Sequence, residues 1–188
     1  RFIPKLLVET DKKEFKHLLA RIKKYEEITD RIESEVSNYL AKVSEGELNS
    51  SASERIRSML SIINDLERIG DVCYQMSKAI ERKSEKKVWF TPEQRQNLKE
   101  MFDKVDQASD LMIKNLEQDY DLVQLTKANE LEKEINKLRN KIRKEHLVNI
   151  ETGEYNFASG IIYNDLFSSA ERLGDHIINV SEAVAGEV

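Results

Sequence analysis

Two stretches of the chain carry an acidic pair at helical spacing around a glycine: Glu67-Arg68-Ile69-Gly70-Asp71 and Glu171-Arg172-Leu173-Gly174-Asp175. Residues four apart on a helix project from one face with side chains about 6 Å apart, so each pair offers two carboxylates to one point in space. Carboxylates converging from neighbouring helices make a site for a hard cation. An isolated acidic pair means little in a chain with 35 Asp+Glu among 188 residues. These pairs differ because they recur at equivalent places and because each encloses an interior glycine, which costs a helix about 1 kcal/mol relative to alanine. Each glycine also falls on the apolar seam, where a missing side chain admits a neighbouring helix. Glu67 shares a helix column with Leu60 and Tyr74, and Glu171 with Asn164 and Ile178. Both glutamates therefore flank the seam, where an unpartnered charge is costly. The adjacent Arg68 and Arg172 lie about 100° round the helix and are poor partners for that face. Interhelical Lys or Arg is the alternative partner to a metal.

The pairs belong to a longer repeat. Residues 67–80 and 171–184 are identical at six of fourteen positions, at an offset of 104. A weaker match at offset 106 aligns Glu26, Asp30, Ile32 and Val36 with Glu132, Asn136, Leu138 and Ile142. Glu26 with Asp30, and Glu132 with Asn136, thus bring further oxygens to the level of the two pairs.

The elements that must position these residues are helices. Two Pro and six Gly interrupt 188 residues, and strand-type alternation is nearly absent, so the chain reads as all-α. Breaks at Ser44-Glu45-Gly46, Asp119-Tyr120-Asp121 and Thr152-Gly153, with the start signal Thr91-Pro92, predict helices near 11–43, 51–83, 92–118, 122–148 and 156–184. The first eight residues read as a remnant of an upstream element. Phe15, Leu18, Ile22, Tyr25, Thr29, Ile32, Val36, Tyr39 and Val43 recur at alternating spacings of three and four, a bundle seam. Short connections make sequence neighbours antiparallel. The fold class is an antiparallel long-helix bundle, with a first half over 1–88 and a second over 89–188 that together form one domain. A spectrin-like or coiled-coil interaction module fits the same periodicity. No apolar run approaches the roughly 18–20 residues of a membrane span, and a net charge of −5 argues against nucleic acid as a partner. The single Cys73 excludes an internal disulfide and suits a reducing compartment. The chain opens at Arg1 without an initiating Met, which predicts excision from a longer parent.

At the Glu-Arg-φ-Gly-Asp repeats, and at Glu26-x-x-x-Asp30 beside the first, the sequence resembles the PhoU family of phosphate-uptake regulators over roughly residues 11–186. The resemblance implies a duplicated, spectrin-like three-helix bundle whose first helix is truncated. It also implies metal ions, iron or zinc, held in multinuclear clusters by Glu67, Asp71, Glu171, Asp175, Glu26, Asp30 and Glu132. Asn136 stands where the family pattern has Asp, which implies a second site with fewer metals, weaker binding or a substitute ligand such as His176. PhoU-like domains also form the cytoplasmic C-terminal part of bacterial Na+/phosphate cotransporters, and this chain looks most like that kind. The implied partners are the membrane transporter domain of the same parent chain, a second copy in a homodimer, and phosphate held through the metal. The implied location is cytoplasmic, at the inner face of the cell membrane.

The remaining candidates are weaker. Glu14-x-x-His17 has the spacing of a di-iron ligand pair but occurs once, and a surface histidine is the simpler account. His146 is explained by a helix C-terminus, Trp89-Phe90 by a hydrophobic lock on a helix connection, and the Lys83–Lys87 stretch by a solvated linker. No nucleophile–base pair or phosphate-cradling glycine loop is visible, so no enzyme is expected. A metal-binding regulator of phosphate transport is expected, with a metal-free helical scaffold for interaction or dimerisation as the alternative.

Overall fold

The computed structural model describes residues 1–46, 48–118 and 122–187, and among them the secondary structure is helical throughout: α1 (Phe2–Val8), α2 (Lys12–Ser44), α3 (Ser50–Glu85), α4 (Pro92–Leu116), α5 (Leu125–Glu151) and α6 (Phe157–Val184). Local chemistry sets the starts. Asp11 caps α2 by accepting from Lys13 N and Glu14 N, Asn49 caps α3 through Ala52 N, and Asn156 caps α6 through Ser159 N. Thr91 and Gln94 form a reciprocal capping box, with Pro92 in the first turn. The expected break at Asp119–Asp121 lies outside the described residues. α5 begins at Leu125, three residues later than expected, and Gln124 N at its start donates to Asn115 Oδ1 of α4 at 3.1 Å.

Residues 2–8, expected as the remnant of an upstream element, are a short helix. They form α1, which packs on α2 and α3 and buries Ile3 and Leu6. Its Phe2 ring stacks on Tyr25 at 5.6 Å.

α3 and α6 form the centre. Contacts between them run from Arg82–Asp165 (3.3 Å) through Arg172–Gln75 (3.1 Å) to His176–Asp65 (2.8 Å). Numbers rise on one helix as they fall on the other, so the two are antiparallel and the halves are related by a pseudo-twofold between them. α2 flanks α3, while α4 and α5 flank α6. The halves differ in packing. α6 buries sixteen of its 28 residues, whereas α2 buries only Leu18, Ile22 and Leu40 of its 33. The cause is the third helix: α4 runs 25 residues and α1 only seven. Beyond the reach of α1 the expected α2 seam opens to solvent, and Ile32, Tyr39 and Val43 are exposed.

Candidate metal centre

Glu26 and Asp30 project from α2 and meet Asp71 of α3, with one carboxylate oxygen from each lying within 4.8 Å of the others. Glu67 lies beside the same group, near enough for Asp71 and Asp30 to act on its charge. The convergence is built by Gly70 and Thr29. A Cβ at Gly70 would collide with Thr29 Oγ1, so the absence of a side chain is what lets α2 and α3 approach here. Thr29 is itself fixed, its hydroxyl donating to the Glu26 carbonyl at 2.8 Å. Burial raises the Glu67 carboxyl above its ordinary range, and Asp71 and Asp30 raise it further. Glu26 is raised in the same way, by burial first and then by Asp30 and Asp71. Among the described residues no Lys or Arg forms an ion pair with any of the four. An all-oxygen donor set, part-sheltered and with only Lys23 and Arg68 as more distant positive charges, fits a hard cation.

The second repeat reproduces the approach but not the cluster. Gly174 faces Ile135, and a Cβ there would lie 3.0 Å from Ile135 Cδ1. Glu132 and Asn136 of α5 and Glu171 and Asp175 of α6 line this level. Glu171 is taken by Arg139 of α5, which donates to its Oε1, with side-chain exposures of 24% and 16%. Asn136 Nδ2 donates to Glu132 Oε1 at 3.4 Å. Burial raises the Asp175 carboxyl, followed by Glu171 and Glu132. Among the described residues these acids do not form a trio as close as that of the first repeat.

His176 turns toward α3: its Nδ1 lies 2.8 Å from Oδ1 of Asp65, which also accepts from Asn179 Nδ2 at 3.2 Å. Sequence reasoning missed both Asp65 and Arg139. The repeat partner of Asp65 at offset 104 is Ser169, so no recurring signal marked it. Arg139 could have been found, because offset 106 sets it opposite Glu33. His17 is exposed. His146 needs a different account from the helix terminus: it is buried, stacked on Tyr155 at 5.8 Å and edge-on to Tyr163 and Phe167. Burial lowers its pKa. Of Trp89-Phe90, Phe90 alone locks the connection, being 4% exposed against 80% for Trp89. Lys83 is not linker but the last turn of α3, its ammonium 5.0 Å from the Phe90 ring.

Fold and site together define a duplicated helical bundle with carboxylates gathered where paired helices approach across a glycine. The chain belongs to the PhoU domain family, whose model matches residues 5–80 and again 98–184. That family is a regulatory helical domain with phosphate-related roles, not a known enzyme family. No curated protein and no solved structure matches the chain significantly. Among the described residues no helix is long and apolar enough to cross a membrane.

Proposed function

We propose that this PhoU domain is a non-catalytic, metal-binding regulator of phosphate transport. In that role it is the cytoplasmic part of a Na+/phosphate cotransporter and acts on the membrane part of the same parent chain. One observation carries the metal: carboxylate oxygens of Glu26, Asp30 and Asp71 converge within 4.8 Å between α2 and α3, with Glu67 beside them and, among the described residues, no basic side chain in an ion pair with any of the four. These four residues would hold iron or zinc. When bound, such a cation supplies a Lewis-acidic positive charge to which phosphate oxygens can bind. The residues themselves set position and charge. Thr29 and Gly70 fix the spacing of the two helices, and the four acids repel free phosphate until their charge is neutralised.

The test is the metal content of protein purified without chelator and then offered iron, zinc or manganese. Wild type retains metal and melts higher in its presence, whereas Glu67→Gln/Asp71→Asn loses both effects. Equal trace metal and equal melting temperatures in the two proteins refute the proposal.

A second function, a scaffold for dimerisation or protein interaction, is favoured by the exposed α2 seam at Ile32, Tyr39 and Val43. Analytical ultracentrifugation with and without metal separates the two: a scaffold associates whether or not metal is present.

A further inference from the structure

Aligned at their sequence offsets, the two repeats agree on one helix and diverge on the other. On α3 and α6 the acids are the same, Glu67 and Asp71 against Glu171 and Asp175. On α2 the face presented to them reads Glu26, Asp30 and Glu33, at positions i, i+4 and i+7. On α5 the equivalent face, at offset 106, reads Glu132, Asn136 and Arg139. Two replacements on one helix face thus convert five carboxylates into three carboxylates and a guanidinium.

We propose that the second cluster of this chain carries its own cation, the Arg139 guanidinium, so that metal loads the first half alone. The proposal rests on the metal-binding function proposed above. Three features support it. Arg139 and Glu171 form an ion pair with side chains 24% and 16% exposed, so the carboxylate oxygen a metal would need is already engaged in a sheltered site. A guanidinium cannot neutralise itself by losing a proton. A metal entering here would displace it and leave a part-buried positive charge unpartnered, which is strongly unfavourable. Asn136 adds to the closure, because its Nδ2 is turned to Glu132 as a donor. Asn136 Oδ1 and Arg139 Nε are buried without partners among the described residues. They are a neutral acceptor and a cationic donor, and neither restores the lost carboxylate. At the equivalent position of the first half, Glu33 accepts from Ser37 Oγ at 2.9 Å and brings no positive charge.

The decisive experiment measures zinc retained after gel filtration. Glu67→Gln/Asp71→Asn abolishes retention, Glu171→Gln/Asp175→Asn leaves it unchanged, and Asn136→Asp/Arg139→Glu roughly doubles it. Asn136→Asp/Arg139→Gln is the milder companion should the charge reversal impair folding. If Glu171→Gln/Asp175→Asn removes as much zinc as the first pair of changes, the proposal is overturned. A double-mutant cycle in chelator tests the pair without metal. Arg139→Ala lowers the melting temperature by several degrees, and adding Glu171→Gln recovers most of the loss. Additive losses overturn the proposal. A wild-type chain that retains no zinc refutes the metal-binding function instead, and the cycle then decides the role of Arg139 by itself.

Discussion

Replacing Gly70 by alanine tests whether the close approach of α2 and α3 builds the cluster. On an exposed helix surface this change stabilises by about 1 kcal/mol, because alanine is the better helix former. Here the new Cβ collides with Thr29 Oγ1 and lies 3.4 Å from Thr29 Cβ and 3.6 Å from Cγ2. Thr29 has no flexible end to withdraw. Turning its hydroxyl away gives up the bond to the Glu26 carbonyl, worth about 1 kcal/mol, and holding it forces the helices apart. Overpacking of this kind costs about 1–3 kcal/mol. Set against the gain in helix propensity, the net loss is about 0–2 kcal/mol, or a fall of up to about 8 °C in melting temperature for a domain of this size. Separation also draws Asp71 away from Glu26 and Asp30, so retained zinc falls with stability. Scanning fluorimetry with and without zinc reads both effects. Thr29→Ala in the Gly70→Ala background removes the collision and restores the melting temperature. A Gly70→Ala protein that melts above wild type and holds zinc unchanged refutes the reasoning.

Two further outcomes follow from burial. Glu26 and Glu67 have carboxyls raised above the ordinary 4.5, so their protonated forms suit the folded state; the stability this gives is full below 4.5 and is lost as pH rises through the raised values. Metal-free protein therefore gains from these two groups as pH falls through the raised values toward 4.5, and Glu26→Gln/Glu67→Gln removes that part of the pH dependence in calorimetry; an unaltered pH profile in the variant contradicts it. The Cys73 thiol is pushed up to about 11 by burial, which leaves about one thiolate in a thousand at pH 8. Labelling of native protein by a disulfide reagent is then about two orders of magnitude slower than that of an exposed cysteine, and equal rates would show the thiol to be accessible.

The helices were legible because their signals are local. Asp11, Asn49, Thr91-Pro92 and Asn156 act on the backbone amides two or three residues away, and the recurrence of apolar residues follows from the helical period alone. The pairing of Glu26 and Asp30 with Asp71 was legible for another reason: Gly70 announces close approach, and the repeat shows that the approach is used twice. Two things were hidden. A seam of threes and fours marks an apolar face but not what covers it, so Ile32, Tyr39 and Val43 of α2 read as core although α1 is too short to bury them. Asp65 and His176 lie 111 residues apart in sequence and meet between α3 and α6; Asp65 stands outside the repeated stretch, and His176 stands inside it where the other copy has Val72.

The asymmetry of burial and the asymmetry of charge bear on the same element. α2 is the helix with the least apolar anchorage, held by Leu18, Ile22 and Leu40 and by the short α1. It also contributes Glu26 and Asp30 to a cluster of acids that, among the described residues, form no ion pair with a base, a repulsion that opposes the α2–α3 contact. α5, its counterpart, is braced by α4 and by the Arg139–Glu171 pair. α3 is tied to α6 at Arg82–Asp165, Arg172–Gln75 and Asp65–His176, so the cation proposed for the first cluster would act chiefly by drawing α2 onto a fixed α3. Binding energy changes an equilibrium only where the two states differ in affinity, and the state with α2 loosened is the one that cannot assemble the four carboxylates. Cation binding therefore has most to contribute where packing contributes least, and the exposed seam of Ile32, Tyr39 and Val43 on the same helix is the surface whose presentation it would set.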